Sequence, residues 1–121
     1  MPRTRVVFYR EADGTVPVLE WLDRLPRRAL VKCRVKLERL QELGHELRRP
    51  EADFLRDGID ELRVRLQRVN YRMRNFFHRD TAAVVCHGIV KEREVPPKEI
   101  ERALTRRAEF AKAPELHTYE E

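Results

Sequence analysis

The chain predicts an α+β domain: a small antiparallel sheet with an N-terminal helical hairpin and a C-terminal helix, in the order β-α-α-β-β-β-α. Three observations predict it. Residues 57–91 (DGIDELRVRLQRVNYRMRNFFHRDTAAVVCHGIVK) pass through two segments that alternate basic and apolar residues, then a third that is nearly all apolar and ends on a lysine. Two runs before them carry apolar residues at helical spacing and meet at Pro26. A last helical run follows Pro96 and Pro97.

Each element has its own signal. Residues 5–10 (RVVFYR) are β-rich and end in the turn Ala12-Asp13-Gly14, so they form the first strand. Thr15 offers an N-cap, with Pro17 in the first turn. Val18, Trp21, Leu22 and Leu25 then fall on one helical face. Pro26 starts a second helix whose stripe is Leu30, Cys33, Leu37 and Leu40, with Gly44 as its stop. Residues 45–56 are polar, contain Pro50 and read as a loop, and Asp57-Gly58 makes a turn. Strands follow over 59–66, 71–78 and 82–90, with connections short enough for antiparallel hairpins. The third strand is apolar almost throughout, as in a central strand covered on both sides. A helix over about 97–112 buries Ile100, Ala103, Leu104 and Ala108. One domain therefore spans residues 1–112, and residues 113–121 read as a loose tail.

Alternation assigns faces. Leu62, Val64 and Leu66 enter a core, while Glu61, Arg63 and Arg65 line the other side of the strand. Arg72 and Arg74 share a face of the next strand, and Tyr71 points to its core side. The chain holds 26 lysines and arginines against 21 acids, a net charge of +5, and lysine occurs only at Lys32, Lys36, Lys91, Lys98 and Lys112. Guanidinium groups bind phosphate in a bidentate manner and stack on bases, which favours a nucleic-acid or acidic partner. A GC-rich genome produces the same bias, so composition alone does not decide. Cys33 and Cys86 belong to no C-x-x-C pair and read as small core residues in a reducing compartment, not zinc ligands. The N-terminus has no long apolar run, which argues against a signal peptide or membrane span and makes the cytoplasm the expected location.

The element order resembles the RelE/HigB superfamily of type II toxins, in particular its phage-derived HigB-like branch. The carriers are residues 55–63 (LRDGIDELR), Tyr71-Arg72, residues 87–91 (HGIVK), and the helix start at Pro97, Glu99, Ile100 and Ala103. The resemblance implies a RelE-like fold and a ribosome-dependent mRNA endonuclease that acts in the ribosomal A site. It also implies a cognate helix-turn-helix antitoxin. Two positions depart from the pattern: Asp60, where an aromatic residue is usual, and Glu92, where a second lysine is common.

The chemistry is compatible with this. RNA carries its own nucleophile in the 2′-hydroxyl, so a protein needs only to align that group, neutralise charge on the phosphoryl oxygens and assist the leaving 5′-oxygen. No metal or small-molecule cofactor is expected. Arg63 and Arg65 match the basic pair that such toxins set against RNA phosphates, and Arg74 extends the patch. Arg72 matches the arginine that stabilises the transition state. Lys91 and His87 complete the expected catalytic set, with His78 and Arg93 as further RNA contacts. Each has a plainer reading: solvated strand charge for the arginines and Lys91, a hydrogen-bonded core group for His87. Trp21 reads as core. The cations Arg24, Arg27, Arg28, Lys98, Arg102, Arg106 and Arg107 read as solvated or partner-facing. The alternative function is a non-catalytic RNA- or DNA-binding module of the same fold, acting through an antitoxin complex in transcriptional control.

Overall fold

The computed structural model describes residues 4–79, 82–91 and 97–121. The elements are β1 (Arg5–Tyr9), α1 (Pro17–Asp23), α2 (Arg27–Leu43), a 3-10 turn (Gly44–Glu46), β2 (Ala52–Arg56), β3 (Ile59–Leu66), β4 (Val69–His78), β5 (Ala82–Lys91), α3 (Pro97–Lys112), α4 (Pro114–His117) and β6 (Thr118–Tyr119). The six strands form one sheet in the order β2-β3-β4-β5-β1-β6. The α+β class and the helical hairpin followed by three hairpin-linked strands are as the sequence predicts.

Four expectations are corrected. The sheet is mixed, because β1 lies parallel to β5, with Arg5 opposite Ala82 and Phe8 opposite Val85. Val7, Phe8 and Tyr9 are all buried, so β1 needs cover on both faces and finds it next to the most apolar strand. The supposed loop before Asp57 contains β2, an edge strand paired to β3. Asp53 in its middle hides the strand signal, and that carboxylate is held by Arg49 and Arg63. The C-terminal segment is not loose. β6 pairs with β1, the Arg10 amide donates to the His117 carbonyl at 2.8 Å, and the His117 ring stacks on Tyr9. Finally, Val16 rather than Thr15 occupies the N-cap of α1, and the Thr15 amide donates to Asp13 Oδ1.

Two apolar layers sandwich the sheet. On the first face, α1 and α2 bury Val18, Trp21, Leu22, Ala29, Cys33, Leu37 and Leu40 against Leu62, Val64, Tyr71, Met73, Ala83 and Val85. Each fully buried aliphatic side chain there contributes about 1.5–3 kcal/mol. On the second face, α3 covers Val7, Tyr9, Ile59, Phe76, Val84 and Cys86. Its buried residues are Ala103 and Phe110, while Ala108 is exposed, contrary to expectation. Phe110 is displaced to the core side because its ring packs edge-on to Phe76, with centroids 5.7 Å apart.

Both β2–β3 and β3–β4 close through two-residue turns with left-handed backbone, Asp57-Gly58 and Gln67-Arg68. A β-bulge then interrupts β4–β5: Arg74 sits opposite His87, but Asn75 sits opposite Val85. Cys86 is the extra residue, and everything after it on β5 turns over. Gly88 consequently faces Trp21, and His87 joins the second face beside Arg74. Among the described residues, no helix is long and apolar enough to cross a membrane.

Candidate functional site

The second face is apolar only where α3 covers it. Beyond Ile59 and Phe76 the same face carries Glu61 and Arg63 on β3, Arg74 and Arg72 on β4, and His87 on β5. The register makes a compact block: Glu61 is opposite Arg74, Arg63 is opposite Arg72, and Arg74 is opposite His87. Like charges directly opposite on a sheet repel, so the Arg63–Arg72 pair needs an anion. Glu61 supplies one. Arg63 Nε donates to Glu61 Oε1 at 2.8 Å, Arg72 Nη1 lies 3.5 Å from the same oxygen, and Arg74 Nη1 lies 3.2 Å from Oε2. The network continues outward, because Arg63 Nη2 donates to Asp53 Oδ2 at 2.8 Å and Arg49 grips the same carboxylate. These contacts hold the Asp53 carboxyl below the usual carboxylate range, chiefly through the Arg49 hydrogen bonds.

The block is graded in depth. The side chains of Glu61 and Arg74 are 0% exposed, Arg72 is 16% exposed and Arg63 35%. Arg74 therefore acts on the surface through its field, while Arg72 and Arg63 reach solvent. Burial pushes the Arg74 guanidinium down and Glu61 opposes that shift. Donor capacity is left over. Arg72 Nε and all three Arg74 guanidinium nitrogens have no aligned acceptor among the described residues. Three guanidinium groups around one carboxylate form a surface suited to a second anion.

The remaining expected site residues are placed as follows. Arg65 is exposed and apart from Glu61; it lines a groove with Arg63, Val64 and, from α2, Lys32, Val35 and Lys36. His78 shares the face of Arg72 but lies six residues along β4, about 20 Å away at the strand rise. Its ring packs against Phe110 at 5.0 Å, so the structure does not bring it to the arginines. Lys91 ends β5 opposite Asn70, two pairs beyond the Arg72–Ile89 pair. Arg93 lies outside the described residues. Tyr71 and Trp21 are core, as expected. Arg106 is half-buried, 3.1 Å from Glu11, with its guanidinium over Tyr9.

His87 is buried beside Arg74, and its Nε2 lies 3.3 Å from Glu99 Oε2. Neither atom has an aligned hydrogen bond, and the imidazole pKa is pushed down to about 3 by burial first, then by Arg106, Arg74 and Arg102. The contact is thus a neutral ring against a carboxylate, not an ion pair. His87 does not serve as a charged proton donor at neutral pH. A stability consequence follows. The unfolded chain takes up this proton below pH 6.5 and the folded chain only near pH 3. His87 thus costs no stability above pH 6.5, and stability falls by up to about 1.4 kcal/mol per pH unit as pH drops through that window. Asp60 acts in the opposite sense, since burial raises its carboxyl to about 6 from 3.8 and favours the folded state as pH falls between those values. Urea titrations from pH 7 to pH 4 check this: His87→Asn flattens the acid loss, and Asp60→Asn steepens it.

Glu61, which contacts all three arginines, is absent from the site residues that the sequence suggests. Its signal in the sequence is spacing: it lies two residues from Arg63 on the same strand face. Glu99 belongs to the pattern of the helix start, and Asp53 lies in a segment that reads as a loop. Among the described residues, no group of three or more His, Cys, Asp and Glu side chains could hold a metal ion.

No curated protein matches the chain. The family profile described as "Phage derived protein Gp49-like (DUF891)" matches residues 20–108. The match runs from α1 through β5 and most of α3, so it contains every described residue of the arginine block. It covers well over half of the chain, which therefore belongs to the Gp49-like family of phage-derived proteins, a family associated with RelE/HigB-like toxins of toxin–antitoxin systems.

Proposed function

We propose that the chain is the toxin of a type II toxin–antitoxin pair and cuts mRNA on the ribosome, with the 2′-hydroxyl of the RNA as nucleophile. The observation that carries this reading is the Arg63–Arg72 cross-strand pair over buried Arg74, with a single shared carboxylate at its centre. A phosphodiester set against Arg72 and Arg63 receives hydrogen bonds on its non-bridging oxygens, and the buried guanidinium beneath adds a field in a poorly hydrated setting. The 2′-oxygen forms a bond to phosphorus as the bond to the 5′-oxygen breaks. The products are a 2′,3′-cyclic phosphate and a 5′-hydroxyl. The proton lost from the 2′-oxygen goes to solvent, and the leaving oxygen takes one up.

In this reading Arg72 stabilises the transition state with Lys91 as its catalytic companion, Arg63 and Arg65 hold the flanking backbone, and Arg93 is a further contact to the RNA. His87 fills the space opposite Arg74 as a neutral ring. The natural partner is a helix-turn-helix antitoxin, and the site of action is the cytoplasm. Primer extension on cellular mRNA after induction tests the assignment. The natural chain cuts messages and arrests growth. Arg72→Ala lowers the cleavage rate on the order of 10²–10³-fold and relieves the arrest. Full toxicity with persistent cleavage in Arg72→Ala would falsify the mechanism. Intact messages together with steeply salt-dependent RNA binding establish the non-catalytic reading instead.

A further inference from the structure

A cavity of about 520 Å³ opens at the β2–β3 turn, lined by His45, Phe54, Arg56, Asp60, Phe77 and Arg107 among others. Its size falls in the range of ligand pockets. Three features give it a distinct chemistry. Its walls are aromatic: Phe54 is 53% exposed, Arg48 covers its ring at 5.3 Å, and His45 stacks on Phe77 with centroids 3.7 Å apart. Its polar centre accepts hydrogen bonds. That centre is the Asp60 carboxyl, which stands between Phe54 on β2 and Asn75 on β4 in one cross-strand row. Its rim is cationic, with Arg56 and with Arg107, which donates to the Asp57 carbonyl.

We propose that this cavity is a nucleobase subsite that takes guanine from single-stranded RNA, by stacking on Phe54 and pairing with the Asp60 carboxylate. Among the four bases, guanine presents two adjacent donors, N1–H and the 2-amino group, on its pairing edge, and a carboxylate accepts both side by side. The aromatic wall suits any base, because every base has a stacking face. The arginine rim repels cationic ligands that a carboxylate and aromatic rings would otherwise attract, and it favours the phosphate that accompanies a nucleotide. Burial holds the Asp60 carboxyl at about 6, helped by Asp53, so it is ionised at pH 7.5. The proposal rests on the RNA reading above only for the polymer that supplies the base.

The test titrates the purified full chain with the four nucleoside 5′-monophosphates and with inorganic phosphate, read by NMR at pH 7.5. GMP binds in the millimolar range, at least tenfold tighter than AMP, CMP or UMP. Intermolecular NOEs connect guanine H8 to the Phe54 ring in the natural chain, so the result does not depend on a variant folding. Asp60→Asn reduces the preference for GMP to less than twofold, and Phe54→Ala weakens all four nucleotides about tenfold. Equal binding of the four nucleotides, a response to inorganic phosphate as strong as that to GMP, or NOEs to β3 and β4 residues around Arg72 instead of Phe54 each overturns the proposal. Message cleavage is not read in this titration. Absent GMP binding therefore sinks the pocket and leaves the Arg72→Ala outcome standing, and the converse also holds.

Discussion

Glu61→Ala unfolds at a much lower urea concentration than the natural chain, with a loss of about 3–5 kcal/mol. The reason is the neighbourhood and not the carboxylate alone. Arg63, Arg72 and Arg74 all approach Glu61, and Arg74 is fully buried beside it. Removing the anion leaves the buried Arg74 guanidinium with only the weaker influence of Glu99 as counter-charge, and three cations in mutual repulsion. Two further measurements separate this cause from simple loss of packing. Added phosphate or sulfate raises the melting temperature of Glu61→Ala more than that of the natural chain, because an anion can occupy the vacated centre. The double replacement Glu61→Leu with Arg74→Met recovers the part of the loss that comes from the stranded Arg74 guanidinium, and the remainder reports the Arg63–Arg72 pair left without its shared anion. A Glu61→Ala protein as stable as the natural chain would show that the arginines do not depend on Glu61.

The second large effect is expected at Gly88. A Cβ there would sit 2.2–2.6 Å from three atoms of the Trp21 ring. That ring is buried and set edge-on against Tyr71, with centroids 6.4 Å apart, so making room for the methyl group disturbs the core around it. Gly88→Ala therefore costs about 2–3 kcal/mol through overpacking, measured as a shift of the urea midpoint at unchanged slope. Trp21→Leu makes room for the methyl group, so the two substitutions together cost less than the sum of each alone. Gly88 follows His87 directly, and the strain also reaches the block around Arg74. On the proposed nuclease reading, message cleavage by Gly88→Ala falls by more than its folded fraction explains.

Much of this architecture was legible in the residues. Period-two patterning located β3 and β4, helical spacing located α1, α2 and α3, and Asp57-Gly58 located the first hairpin turn. These signals are local: each depends on side chains that must face one way along a short stretch of backbone. β2 and β6 escaped because short edge strands carry little pattern of their own and are recruited by the neighbour they pair with. The helix stripe misled at Ala108 for a similar reason, since Phe110 is larger and its burial against Phe76 fixes the rotation of α3.

For the candidate site the division is sharper. Alternation is a property of each strand, so the residue order alone places Arg63 and Arg65 on one strand face and Arg72 and Arg74 on one face of the next. Contacts across the sheet set Arg63 opposite Arg72, make Glu61 their shared anion, leave Arg65 in a groove with Arg63 without contact to Glu61, and keep His78 away on Phe110. They also decide the side of His87. Simple alternation along β5 would have placed that ring with Val85 under the helical hairpin, and the bulge at Cys86 turns it to Arg74 instead. Register, bulges and ion pairing between strands arise from contacts across the sheet, and the order of residues along one strand does not contain them.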